Sequence, residues 1–181
     1  MPKRRRILQS VLSAVAAMLL VATTAQPASA WTWSSVTNVY YPIGSSYCVR
    51  AQAGIDHFVP GSFSGNLAYS NAYLLRVRVD IITGWRSCEL AATGWGRARL
   101  DVQKWNGTAW TFCRGSGWAY GSFGWSSGEL GGPYGPSQIL DYGGSASCGQ
   151  GYYRTIAFAE YEVSPSTWVG GSVPSPYEWV P

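Results

Sequence analysis

Between Leu75 and Ile81 the chain alternates strictly. Leu75, Val77, Val79 and Ile81 are apolar, and Arg76, Arg78 and Asp80 stand between them. A period of two is that of a strand with one buried face, so the pattern predicts a strand over 73–85 with the odd positions inward. Ala98, Leu100 and Val102 alternate with Arg97, Arg99 and Asp101 in the same way, and this second segment runs into Trp105-Asn106-Gly107-Thr108. Asn-Gly between two strand-like segments predicts a type I′ hairpin turn, with both residues at positive φ and a return strand from Ala109 to Arg114. Tyr152 to Val163 reads as a further strand. Its apolar residues take both parities, Ile156 and Phe158 against Ala157 and Ala159, as in a strand covered on both faces. Shorter strands are expected at 36–41, 47–53 and 57–59. No segment after the first thirty residues has a helical period.

Those first thirty residues follow another logic. Lys3, Arg4, Arg5 and Arg6 form a basic head, an apolar run extends from Val11 to Ala22, and Ala28-Ser29-Ala30 forms a small-residue exit. That order predicts a cleaved signal peptide over 1–30 and a mature protein starting at Trp31. The apolar run is too short for a spanning helix. The leader resembles bacterial export signals of actinobacterial type, and Arg4-Arg5-Arg6-Ile7-Leu8 is a partial match to a twin-arginine signal. This resemblance covers the leader alone and implies nothing about activity.

Removing the leader changes the charge. Four of the 13 Lys and Arg lie in it, which leaves nine basic against nine acidic residues in 31–181. A neutral body offers no general attraction for nucleic acid or anionic lipid, so nucleic acid is excluded as a partner. All 10 Trp, 12 Tyr, 5 Phe and 22 Gly fall after residue 30. A charge-poor, aromatic-rich chain is the opposite of a disordered one, and its glycines favour short strands and tight turns. The expected fold is therefore all-β: a single secreted domain over 31–181, built as an antiparallel β-sandwich or a small jelly-roll or barrel. A long loop rich in glycine and aromatics is expected between Arg114 and Gly151. Residues 164–181, with Pro165, Pro174, Pro176 and Pro181, read as a proline-rich tail without a membrane anchor.

Cys48, Cys88, Cys113 and Cys148 fit two disulfides in an exported chain. Three pairings are possible. Cys48 opens one strand and Cys88 follows the end of another, while Cys113 ends a strand and Cys148 precedes the next long one. Antiparallel neighbours bring such positions together, which favours Cys48–Cys88 and Cys113–Cys148. Without a C-x-x-C pair, and with His57 as the sole histidine, the cysteines do not make a zinc site. No metal or other cofactor is expected.

Three chemistries remain. Gly124-Trp125-Ser126-Ser127-Gly128 has the G-x-S-x-G form, but that motif acts only between a strand and a helix, and His57 precedes the serine instead of following it. The order His57, Asp80 or Asp101, Ser126 suits a β-barrel serine protease, whose local motifs are missing. Glycoside hydrolysis needs two carboxyl groups across a cleft; Glu160 and Glu162 share one strand face, and Glu129 lies in the aromatic loop. The alternative for Glu160 is a cross-strand pair with Arg. The shared R-φ-R-φ-D pattern of 76–80 and 97–101 suggests two neighbouring strands whose arginines and aspartates face one another. Trp118, Tyr120, Trp125 and Tyr134, set among glycines, are the candidate ligand contacts, since exposed Trp and Tyr dominate binding surfaces. The expected function is a secreted non-catalytic binding module for extracellular glycan or protein. A small glycoside hydrolase and a secreted inhibitor or toxin-like protein are the alternatives.

Overall fold

A computed structural model describes residues 32–33, 39–40, 46–57, 66–127, 132–142 and 148–180. The expected leader, its cleavage point, Glu129 and most of the segments 36–41 and 57–59 lie outside the described residues. In chain order the strands are β1 (Thr32–Trp33), β2 (Val39–Tyr40), β3 (Tyr47–Asp56), β4 (Leu67–Val79), β5 (Arg86–Ala91), β6 (Gly94–Trp105), β7 (Trp110–Gly115), β8 (Ala119–Ser126), β9 (Gly132–Tyr134), β10 (Ser137–Asp141), β11 (Gly151–Ser164) and β12 (Thr167–Val180). They form two antiparallel sheets, and no helix occurs among the described residues. One sheet runs β1-β3-β4-β10, with β2 beside β3 and β5 beside β4; the other runs β12-β11-β6-β8-β9, with β7 beside β6.

The sheets face one another through small side chains. Ala51, Ala53 and Ala72 of the first sheet meet Ala98, Ala157 and Ala159 of the second, all fully buried. Alanine on both inner faces lets two pleated surfaces approach closely, and two rings, Phe123 and Tyr161, join this cluster. Phe123 enters where glycine makes room: a methyl on Gly96 or Gly135 would overlap its ring. A second cluster, with Leu100, Val102, Tyr142 and Tyr153, fills the other end. Both favoured disulfides are present. Cys48–Cys88 joins β3 to β5 across β4 with Cα atoms 6.3 Å apart, and Cys113–Cys148 joins β7 to the approach to β11 at 5.9 Å. Loops of this length contribute about 4 kcal/mol each in the chain-entropy treatment.

Several local expectations are corrected. The inward face of β4 is the even set, Ala68, Ser70, Ala72 and Leu74, and not Val77 to Ile81. Its ladder with β5 slips between Arg76 and Val77. From there the two strands form a ribbon whose turn leaves Ile81 and Ile82 97% and 89% exposed. Alternation records which residues share a face, and it does not record whether a second sheet covers that face. The R-φ-R-φ-D segments belong to opposite sheets, so they do not pair. Arg78 bonds Glu89 instead, and Asp80 caps the turn by accepting the Ile82 and Thr83 N–H groups at 2.9 and 2.8 Å.

The hairpin after β6 exists with a longer turn. Trp105 pairs with Trp110, leaving four residues between them, and of the two turn residues only Gly107 has positive φ, at 102°. Asn106 closes the loop with its side chain, Oδ1 accepting the Thr108 and Ala109 N–H groups. An Asx cap of this kind replaces the type I′ backbone conformation. The stretch after Arg114 also differs from the single loop expected, since β8, β9 and β10 run through it.

The tail is the largest correction, because Thr167–Val180 is strand β12, paired with β11 along its length. Prolines are tolerated because β12 lies at the sheet edge, where one row of N–H groups has no ladder partner. The register shifts between Arg154 and Ile156, which bulges Ser175 and Pro176 out of the ladder. The buried Ser175 hydroxyl then accepts the Thr155 N–H at 2.9 Å and donates to the Pro176 carbonyl at 2.6 Å.

Two stability predictions follow from these geometries. Gly107→Val should cost about 1–3 kcal/mol, from positive φ alone because the space around a Cβ there is open; a lower urea midpoint checks this. Ser175→Ala should cost about 1–3 kcal/mol by leaving the buried Thr155 N–H without its acceptor, and thermal unfolding would read it.

Candidate functional site

Strand alternation divides the aromatic residues of the second sheet. Odd positions of β11 point into the sandwich and even positions point out, so Tyr153 and Tyr161 are core residues while Tyr152, Arg154 and Phe158 face outward. The ladder continues this outer face onto β12, with Tyr152 opposite Trp179 and Arg154 opposite Tyr177. On the other side Arg154 lies opposite Gln103 of β6.

At one end of this face the rings make a recess. Trp105, Trp110, Tyr152 and Tyr177 line a volume of about 370 Å³. Ring centroids are 5.5 Å apart for Trp105–Trp110, 6.2 Å for Trp110–Tyr177 and 5.6 Å for Tyr152–Tyr177, and Trp179 meets Tyr152 edge-on at 4.9 Å. Tilted rings at these spacings hold one another in place while leaving faces open to solvent. Tyr177 is 64% and Tyr152 44% exposed. Arg154 borders the recess. Its guanidinium sits 4.5 Å from the Trp110 ring centre, and its Nε donates to Gln103 Oε1 at 2.9 Å. Burial pushes Arg154 below the ordinary arginine value.

Further along the same face, cations and rings pack against each other. Arg97 lies between Trp118 and Trp168, 4.2 and 4.3 Å from their centroids, and donates Nε and Nη2 to Glu160 Oε2 at 2.7 and 2.5 Å. Burial opposes the Arg97 charge, but hydrogen bonds with Glu160 and Tyr120 outweigh it, and its pKa rises above the ordinary value. Arg99 covers Phe158 at 4.2 Å. Stacking of this sort fills the face, and it leaves Trp118 half-buried as a support.

Of the four expected contact residues, Trp118 is half-buried, Tyr120, Trp125 and Tyr134 are exposed, and strand parity does not put all four on one face. Trp118 and Tyr120 belong to the packed region, with Tyr120 edge-on to Trp168 at 5.7 Å. Trp125 has the opposite parity to Tyr120 on β8, and Tyr134 sits on β9 opposite Gly124. Glu160 is held by Arg97, and Glu162 accepts the Ser166 N–H at 2.8 Å in the β11–β12 turn. Glu160 also lies roughly 26 Å from Tyr152 by strand rise, so the paired acids and the recess do not share a cleft. Ser126 is on β8 and not on a strand-to-helix turn.

Donor atoms of Asp56, His57 and Glu178 lie within 4.8 Å of one another, a set that suits a divalent cation by type. Here His57 Nδ1 is 2.9 Å from Glu178 Oε2, a contact that ties the end of β3 to β12. Beside it, burial and then the Glu178 and Asp56 carboxylates push the Tyr142 phenol far up.

Sequence reasoning missed Trp105, Trp110, Tyr152, Tyr177 and Trp179. A signal was present, since Tyr177 and Trp179 alternate, but it has meaning only once 167–180 is seen as a strand. No family model, curated protein or solved structure matches the chain.

Trp118→Ala should cost about 2 kcal/mol, less than a fully buried Trp, because it uncovers Arg97 and Arg99. Tyr177→Ala should stay within about 0.5 kcal/mol. Differential scanning calorimetry on the two variants separates support from exposed recess.

Proposed function

We propose that the chain is an exported, non-catalytic binding module that holds an extracellular glycan on the outer face of its second sheet. The recess lined by Trp105, Trp110, Tyr152 and Tyr177 carries this reading. Rings that are exposed, mutually braced and mounted on strands present apolar faces to the C–H face of a pyranose without ordering anything on contact. The recess is lined by four rings, and Glu160, held by Arg97, stands roughly 26 Å from it by strand rise, which favours binding over hydrolysis. The two disulfides are compatible with oxidising surroundings, and with the leader-like head they support export.

A secreted interaction protein of inhibitor type is the second reading. The β4–β5 turn favours it, because Ile81, Ile82 and Trp85 are bare on a ribbon braced by Asp80 and the Cys48–Cys88 bridge.

Affinity electrophoresis through a panel of soluble polysaccharides tests the glycan reading. Tyr152→Ala combined with Tyr177→Ala should abolish retardation while leaving the melting temperature nearly unchanged. Retardation that survives the double variant, or that appears with no polysaccharide, would overturn it. N-terminal sequencing of protein from culture medium should read Trp31 first, and protein retained in the cell with residues 1–30 intact would count against export.

A further inference from the structure

Arg154 differs from the other arginines on the outer face. Arg97 has Glu160 and Arg99 has Asp101. No carboxylate among the described residues pairs with Arg154, although the side chain is half-buried against Trp110 and lies opposite Tyr177. A partly desolvated cation without a counter-ion is unfavourable, and a ligand anion would relieve it. Its Nε is already engaged by Gln103, which fixes the plane of the guanidinium. The two Nη groups remain as a planar fork, the geometry that matches a carboxylate.

Resting on the glycan reading above, we propose that the recess selects an acidic saccharide: Arg154 pairs the carboxylate of a uronic acid whose ring stacks on Trp110 and Tyr177. Position supports the assignment. Arg154 contacts Trp110 and faces Tyr177, and both of these rings line the recess. A ring seated on them therefore places an exocyclic carboxyl group within reach of the fork. One cation set among four rings does not suit a phosphate backbone, which is followed by many cations. It suits a sugar carrying one charge per residue.

The test uses the full mature chain with polygalacturonate, with carboxyl-reduced polygalacturonate as its neutral counterpart, and with dextran sulfate. The wild type should bind polygalacturonate about tenfold more tightly than the reduced polymer, the scale of one charge-assisted pair. Arg154→Gln should erase that difference, and Arg154→Lys should restore only part of it. Added salt should weaken the charged interaction alone in the wild type, which provides a check should a variant fold poorly. Equal affinity for the two polymers, or a difference that Arg154→Gln leaves intact, would overturn the inference while the glycan reading stands. Dextran sulfate binding more tightly than polygalacturonate, with the same dependence on Arg154, would overturn the carboxylate assignment. Binding to none of the three polymers would overturn the inference on its own, and the wider polysaccharide panel decides the glycan reading separately.

Discussion

Close approach of the two sheets through alanine governs where everything else can go. Ala51, Ala53, Ala72, Ala98, Ala157 and Ala159 make small side chains the main filling between the inner faces, with Phe123 and Tyr161 the rings among them. A chain with this many Trp and Tyr must then place most of them elsewhere. Phe123 enters where Gly96 and Gly135 lack side chains, and Tyr142 and Tyr153 fill the wider end. The remaining large side chains are driven outward, and the outer face of the second sheet receives many of them.

That outer face is divided by how its cations are neutralised. Where Glu160 lies opposite Arg97 on the β6–β11 ladder, the guanidinium is compensated and can stack between Trp118 and Trp168 as a building unit. Where Gln103 stands opposite Arg154, the partner is neutral and the charge is left over. A single cross-strand pairing, acid in one case and amide in the other, separates a packed region from one able to receive an anion. Trp118 is half-buried against Arg97, whereas Tyr152 and Tyr177 are exposed.

Much of the architecture was legible in the sequence, and its limits have physical causes. Period-two alternation located β6, an apolar run of both parities located β11, and the positions of cysteines at strand ends led to the observed bridges. Alternation failed for the outer half of β4 and the turn after it, because Val79 and Ile81 share a face that is left exposed. It also failed for β12, where Pro174 and Pro176 read as coil. The signal that licenses them, an edge position and a bulge satisfied by Ser175, exists only in the folded ladder. Losing β12 hid the recess, since Tyr177 supplies one wall and Trp179 braces Tyr152. The choice of Trp118, Tyr120, Trp125 and Tyr134 rested on aromatic residues set among glycines in an expected loop, whereas strands β8 and β9 carry all of them but Trp118. Strand parity sends Tyr120 and Trp125 to opposite sides.

An edge strand is a poor mount for a binding surface unless something fixes it, because half of its backbone groups lie outside the ladder. β12 is fixed at several points. Ser175 bonds the β11 backbone within the bulge, and Glu178 reaches across to His57 at the end of β3, joining the two sheets. Between these anchors stands Tyr177, and immediately after them Trp179, both directed outward by the same alternation that turns Glu178 inward. Anchoring residues and outward rings therefore interleave over 175–179 of one strand. Under the proposed glycan reading, rings on a strand held in this way need no ordering when a ligand arrives, and more of the stacking energy goes into affinity.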